Sequence, residues 1–462
     1  MEIHLSKGTL LLYETPYSYM IMNSLRTKRC SYCLMENDLQ QCLSCNLFKY
    51  CNKECQKKDW NEHKHECKNI QKISHDFRRS IPATVLMMAR IIYKIHKNQV
   101  CGQSKLLYCN KNVKFPENRN FNELVSHYDN ISRDQYKMEC LNTYTQALFR
   151  ILPKHLYEMY QHIFKDIFCK ILINSYSILD EELCPVAHAL YMCASYFNHS
   201  CVPNTNCIFN GPNIFITSVE DITLKQNSSS LQNSIFIRYI DPLESYQNRR
   251  KSLMETYYFH CACQFCHIHD DHHNHEENVL DFLPKSTLEN DTLNINTRQS
   301  SITNKFIDEL CSKFQEYQQS SISLKNFNDF FPSSNNVIYN KILWEKFQHT
   351  HMPFINNPND LTTVADTHLV LTYQIGIALN RGNTFRKYYP KYDISRAYHL
   401  LWLSKLALYL NDLSNAKNYA NQCMEIIDIA YPLEAVQHLD NFESILSNIK
   451  YNLSHILSQL NF

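Results

Sequence analysis

Between residues 30 and 67 the chain spaces seven cysteines and a histidine in pairs: Cys30 with Cys33, Cys42 with Cys45, Cys51 with Cys55, and His63 with Cys67. The intervals are x2, x2, x3 and x3. Thiolate and imidazole donors in fours bind zinc tetrahedrally, and each short interval lets two side chains converge on one ion. Eight donors within 38 residues make two such sites. An x2 pair fits a tight knuckle; an x3 pair puts both donors on one face of a helical turn. His65 is off this spacing and reads as a surface residue. A second group, "CACQFC", offers Cys261, Cys263 and Cys266, one thiolate short of a tetrahedral site. Cys201, about 60 residues upstream in "NHSCVPN", is a spare cysteine. If it completes the site, the ion pins that loop against the end of the region; the alternative is an incomplete trio.

Several elements must position these groups. "IFIRYID" (235–241) alternates apolar residues as a strand does and would deliver Tyr239 to the same place. "GPNIFITSVEDI" (211–222) reads as a turn and another strand. Residues 68–170 are mostly helical in pattern, as in "ATVLMMARIIYKIH" and "YKMECLNTYTQALFRIL". From about 305 the chain is helix-rich and motif-poor. Within it, 393–431 reads as two amphipathic helices around "NDLSN". One face is marked by Ala397, Leu401 and Leu408, the other by Ala416, Ala420, Cys423 and Ile427. Small residues at the crossing permit close packing. Residues 223–234, 289–304 and 333–336 are polar and suit loops. Asn227-Ser228-Ser229 matches a glycosylation acceptor, which an intracellular chain would not use. "CHIHDDHHNH" (266–275) reads as a linker with incidental metal affinity rather than a further metal site.

A chain of 462 residues can bury a large core and hold several domains. Lys+Arg is 46 against 45 Asp+Glu, which gives no reason to expect a general nucleic-acid binder. Lys53, Lys57, Lys58, Lys64 and Lys68 form a local basic face. It reads as a solvated face, with an acidic partner or weak nucleic-acid contact as the alternative. The first 20 residues lack a basic segment followed by an apolar one, so no signal peptide is expected. No apolar run reaches the ~18 residues of a membrane span. A soluble, intracellular protein follows, without membrane association. Nine of the twenty cysteines lie outside the metal clusters: Cys101, Cys109, Cys140, Cys169, Cys184, Cys193, Cys207, Cys311 and Cys423. Most read as small buried apolar groups.

The first cluster resembles a MYND zinc finger, a family in which the pairs interleave. The resemblance implies that Cys30 and Cys33 share a zinc with Cys51 and Cys55, and Cys42 and Cys45 share another with His63 and Cys67. The order NHSC-x-PN, then Y-x-D, then C-x-C-x2-C resembles a SET-domain lysine methyltransferase with its post-SET zinc. A MYND finger upstream narrows this to the SET-and-MYND-domain (SMYD) family. "INSYSILDEE" (173–182) and "LVSHYDNI" (124–131) resemble further elements of that family.

What the resemblance implies is methyl transfer from S-adenosylmethionine to a neutral lysine amine, with three structural zinc ions. Asn198 and His199 would hold the methionine end of the cofactor, partly through backbone groups. Asn174 and Ser126–His127 would add polar contacts, and Phe259 would pack on the adenine. Tyr239 would orient the amine and the methyl group, and so also touch the cofactor. Tyr176 and Tyr257, with Tyr239, would wall the lysine channel, since aromatic walls accept methylenes and tolerate methylammonium products. Position 176 is usually Phe in the family, so the Tyr176 hydroxyl could restrict how many methyl groups fit.

The expected architecture is α+β and multidomain. A SET β-fold is split by a MYND finger, followed by a post-SET zinc site and a C-terminal α-helical domain like a tetratricopeptide repeat. Its segments would be 1–29 and 171–242 for SET, 30–67 for MYND, 68–170 for a helical insertion, 243–280 for post-SET and 281–462 for the helical domain. A Gly-x-Gly-Leu cofactor loop usual in the family would lie just before Met1. Truncation of the sequence is the expected reason, and an inert zinc-dependent adaptor is the alternative function. Histone or non-histone proteins would be substrates, MYND would take proline-rich or chromatin-associated partners, and a monomer in nucleus and cytoplasm is expected.

Overall fold

Every residue of Leu10–Glu14 is buried, as a continuous apolar run requires of a strand covered on both faces. The computed structural model describes residues 2–97, 106–113, 115–116, 119–180, 185–225, 234–240, 246–271, 389–409, 412–431, 453–454 and 458. In it β1 (Glu2–Leu5), β2 (Leu10–Glu14) and β3 (Ser18–Ile21) open the chain. Gly8 makes the β1–β2 turn at φ +80°, and a Cβ there would stand 3.0 Å from the Ile429 carbonyl oxygen. Both its dihedral and its neighbour therefore call for glycine.

The zinc-finger stretch follows, with the hairpin β4 (Gln40–Gln41) and β5 (Lys49–Tyr50) and the long helix α1 (Lys53–Gln71). Asn52 caps α1 by accepting from the Cys55 N–H at 2.9 Å. After α2 (His75–Ser80) comes α3 (Ala83–His96), buried without a break from Val85 to Tyr93. A helix apolar on all sides belongs at the centre of a bundle. Its companions are α1, α4 (Tyr128–Ser132), α5 (Gln135–Ile151), α6 (Lys154–Tyr160) and α7 (Phe164–Asn174). Among the described residues, the helical expectation for 68–170 meets an exception. Leu106–Cys109 is a strand, β6, which pairs antiparallel with β2.

The remaining strands are β7 (Ser175–Leu179), β8 (Pro185–Leu190), β9 (Asn198–His199), β10 (Thr205–Asn210), β11 (Asn213–Ser218), β12 (Ile222–Lys225) and β13 (Phe236–Ile237). They form sheets in the orders β10-β11-β2-β6, β3-β8-β7, β1-β12 and β13-β9. Helices α8 (Tyr246–Tyr257) and α9 (Gln264–Asp271) flank the second cysteine group, with Cys261 and Cys263 in the connection between them and Cys266 on α9. Finally α10 (Ile394–Tyr409) and α11 (Leu413–Ala430) pack together on Leu10, Tyr13, Ile208, Phe215 and Val219 of the four-stranded sheet. Ala397, Ala416, Ala420, Cys423 and Ile427 are fully buried, as the crossing of two small-residue faces requires.

The strand expected over 235–241 is only Phe236–Ile237. Beyond it the backbone leaves the ladder, because the Tyr239 N–H donates to a side chain, His199 Nδ1, at 3.0 Å. Of the scattered cysteines, Cys169, Cys193 and Cys423 are buried, while Cys109, Cys140 and Cys207 are half-buried. Cys101, Cys184 and Cys311 lie outside the described residues, as do most of 281–462, residues 226–233 and the linker from 272.

Candidate active site and metal centres

Three groups of four donors stand ready for metal. Cys30, Cys33, Cys51 and Cys55 form one, Cys42, Cys45, His63 and Cys67 the second, and Cys201, Cys261, Cys263 and Cys266 the third; within each group the donor atoms lie within 4.8 Å of one another. Tetrahedral Zn–S bonds of about 2.3 Å place the sulfurs about 3.8 Å apart. At the second and third sites the distances agree: Cys42 to Cys67 is 3.8 Å, Cys201 to Cys261 3.9 Å and Cys201 to Cys266 3.6 Å, while Cys33 to Cys51 in the first is shorter at 3.4 Å. The eleven cysteines among them are free thiols rather than disulfides. The donor chemistry and spacing fit zinc at all three sites. The pairs interleave, and Cys201 completes the trio. His65 is not a donor; it lies beside Lys97 and the Tyr93 ring. Lys53, Lys57, Lys58, Lys64 and Lys68 are all exposed, as a solvated face would be.

Behind the second site lies a buried charge network. His63 Nε2 faces Cys42 and Cys45, while Nδ1 stands 3.4 Å from Glu66 Oε1. Arg90 of α3 donates to Glu66 at 2.6 Å and pairs with Asp59 at 3.3 Å, and the Tyr50 hydroxyl donates to Asp59 at 2.7 Å. Burial works to raise the Glu66 carboxyl, but the Arg90 guanidinium outweighs it and holds Glu66 below its ordinary value. A metal-binding imidazole is commonly oriented by such a carboxylate.

The third site anchors an aromatic group. Cys201 Sγ lies 3.4 Å from His199 Nε2, and His199 Nδ1 accepts the Tyr239 N–H. With Nδ1 accepting, the neutral ring carries its proton on Nε2, towards the thiolate. The Tyr239 ring stands 5.3 Å from His199, 4.9 Å from Tyr257 and 6.4 Å from Phe259. β13 and β9 pair in parallel, Phe236 with Asn198 and Ile237 with His199. The exposed Asn198 side chain therefore sits at the edge of this group. Burial, then the neighbouring Tyr257, raises the Tyr239 hydroxyl well above the ordinary tyrosine value, so it remains a donor at neutral pH.

That hydroxyl donates to the Phe197 carbonyl at 2.5 Å, and the Tyr176 hydroxyl donates to the Ala194 carbonyl at 2.8 Å. Two tyrosines thus end on one short stretch of backbone. The same stretch is held from beneath by Glu14, fully buried, whose oxygens accept from the N–H groups of Cys193 at 2.9 Å and Ala194 at 2.8 Å. Arg119 donates to Ser195 Oγ at 2.8 Å and to the Met192 carbonyl at 3.3 Å. Glu14 and Arg119 are absent from the residues singled out by sequence. For Glu14 a signal existed: a carboxylate closing the apolar run "LLLYE" needs buried partners.

Asn174 and His127 lie on a neighbouring edge. Asn174 donates its amide to the carbonyls of Val125 at 2.7 Å and Lys170 at 2.8 Å, which fixes the loop bearing His127. The His127 ring is 5.5 Å from Tyr258, and both residues adopt left-handed backbone, φ 45° and 59°. Their link to the Tyr239 group runs through Tyr258, which stands between Tyr257 and Phe259 in sequence. Burial lowers the His127 imidazole below its ordinary value, favouring the neutral ring.

The MYND finger family matches residues 30–67. Histone-lysine N-methyltransferase SMYD3 of Homo sapiens is 29% identical over 272 residues, 58% of each chain. Histone-lysine N-methyltransferase ASHR1 of Arabidopsis thaliana is 29% identical over 274 residues, 59% of this chain and 53% of the other. N-lysine methyltransferase SMYD2 of Homo sapiens is 30% identical over 266 residues, 57% of this chain and 56% of the other. The chain thus matches little more than half the length of these curated relatives. A MYND finger with both its donor sets assembled, joined to this similarity, makes the chain similar to the SET-and-MYND-domain (SMYD) proteins over the matched length.

Proposed function

We propose that the chain is a protein-lysine N-methyltransferase that uses S-adenosylmethionine and acts on histone or non-histone proteins. The observation that carries this reading is the convergence at Tyr239. A protonated, buried hydroxyl stands among Tyr257, Phe259 and His199, and its backbone is tied through His199 to Cys201 of the third metal site. The sheets other than the β4–β5 hairpin of the finger correspond to the SET fold in this reading, the Cys201 site to its post-SET zinc, and α10–α11 to the repeat-like domain.

The residues suit the chemistry. Bound cofactor supplies an activated methyl group on a cationic sulfur. Aromatic faces at Tyr239, Tyr257 and Phe259 attract cations and accept apolar methylenes. The exposed Asn198 side chain offers donor and acceptor at the edge of that box. Tyr176 and Tyr257 line the approach of the lysine, and its hydroxyl bond to Ala194 commits the Tyr176 oxygen to the wall rather than leaving it to rotate into the channel. The rate would come from orientation and fixed dipoles, with no covalent intermediate on the protein. Zinc holds the frame and takes no part in the transfer.

Two measurements test this. Titration calorimetry should show S-adenosylmethionine binding to the full chain, and radiolabelled methyl should pass to lysines of a recombinant histone or a cell-extract protein. Tyr239→Phe should lower the transfer rate about 10²-fold while cofactor affinity stays level. Absence of both binding and transfer would overturn the assignment.

A further inference from the structure

We propose that Arg238 and Asp393 are positioning residues for Tyr239: their ion pair lets the α10–α11 helix pair fix the strand end that bears the tyrosine. The proposal rests on the role given to Tyr239 above and goes beyond it, since it concerns what fixes the strand end rather than the aromatic group itself.

Arg238 precedes Tyr239 directly, and its guanidinium meets Asp393 at 2.6 Å with both side chains largely shielded, 17% and 3% exposed. The guanidinium also lies over the Tyr389 ring, 4.7 Å from its centre. The Tyr239 ring lies among His199, Tyr257 and Phe259 while the Arg238 guanidinium meets Asp393 and Tyr389, so adjacent residues of one backbone segment are held from two sides and a pull on one is felt by the other.

Asp393 is itself held firmly. Its Oδ1 accepts from the Ser395 N–H at 2.8 Å at the start of α10, leaving Oδ2 for Arg238. A carboxylate is favoured at a helix N-terminus. On either side of Asp393, Asn206 of β10 grips the backbone: its amide donates to the Tyr392 carbonyl at 2.9 Å and its oxygen accepts from the Ile394 N–H at 3.0 Å. The anchor is thus bolted to the four-stranded sheet. The strand end it steadies has only two residues of ladder before it, Phe236 and Ile237. A tyrosine at the end of so short a strand needs a second fixing, and this charge pair provides one.

The test compares the full chain with Arg238→Met, Arg238→Lys and Asp393→Asn. Methionine keeps the bulk without the charge, lysine keeps the charge, and asparagine remains a good helix cap. Hydrogen exchange should rise about tenfold across 234–240 in Arg238→Met and Asp393→Asn. It should stay level in β10 and β11, with Arg238→Lys in between. Turnover should fall by a similar factor with KM for S-adenosylmethionine unchanged. Unchanged exchange at 234–240, a rise spread evenly over the chain, or faster local exchange with undiminished turnover would each overturn the proposal. The exchange arm needs no activity, so a chain that neither binds cofactor nor transfers methyl would refute the methyltransferase assignment while exchange still decides whether the pair fixes the strand.

Discussion

Glu14 shows how much of the site depends on single groups that touch no substrate. Its carboxylate is sealed from water and its two oxygens receive the N–H groups of Cys193 and Ala194. Those bonds hold the turn whose next carbonyls, Ala194 and Phe197, receive the hydroxyls of Tyr176 and Tyr239. Glu14→Gln would set an NH2 group against one of the two N–H donors. A lost bond to a charged acceptor and an unsatisfied buried donor together cost about 2–4 kcal/mol. Urea unfolding should show a loss of that size, and a change within 0.5 kcal/mol, about the scale of surface substitutions, would show that the carboxylate is not the brace described. The contrast with the cysteines explains what sequence discloses. Metal chemistry demands fixed intervals, so Cys30 with Cys33 and Cys261 with Cys263 announce themselves. Glu14 binds backbone some 180 residues away, and backbone donors leave no trace in residue types.

Helix α1 joins two kinds of support. Its inward face carries the ligands His63 and Cys67 together with Asp59, Glu66 and Ile70. Zinc contributes on the order of 10 kcal/mol per site in small fingers, and the knuckles at 30–52 supply five of the eight donors. The far half of α1 has further support. Ile70 packs in the helical core, Arg90 binds Glu66 and Asp59, and Arg78 donates to the carbonyl of Gln71 at 3.2 Å. Removal of zinc by a chelator should therefore deprotect the finger unevenly. Hydrogen exchange should rise steeply across 30–52 and much less across 66–71, and added zinc should reverse it. Equal deprotection of both stretches would mean that α1 owes its place to the metal alone. The interval pattern gave the ligands of this element, whereas Arg90 looks in sequence like an error inside the apolar run "VLMMARIIY"; only the two carboxylates brought up by α1 explain it.

Across the whole molecule, the legible features were those with local causes: ligand intervals and the helical periods of α3 and of α10–α11. The features hidden in sequence were long-range. β6 joins β2 from within a helical region, and β13 stops after two residues because His199 takes over its hydrogen bonding. One global property follows from the 30 tyrosines of the chain. Burial raises the hydroxyls of Tyr17, Tyr19, Tyr50, Tyr176, Tyr191 and Tyr239 well above their ordinary value, and pushes Tyr93 up to about 12. Unfolding returns each to about 10. A folded-state value raised in this way stabilises the native chain fully at pH values below the unfolded one. Above it the unfolded chain ionises first, binds fewer protons, and is favoured, so stability falls as pH climbs through 10 towards the folded values. Each such tyrosine contributes a slope of about 1.4 kcal/mol per pH unit in that window. Denaturant unfolding from pH 7 to 11 should show little effect of these groups below about pH 9 and a steep decline above 10. Tyrosinate absorbance should appear in step with loss of structure. Full ionisation of all tyrosines in a chain still folded would contradict the burial of these seven.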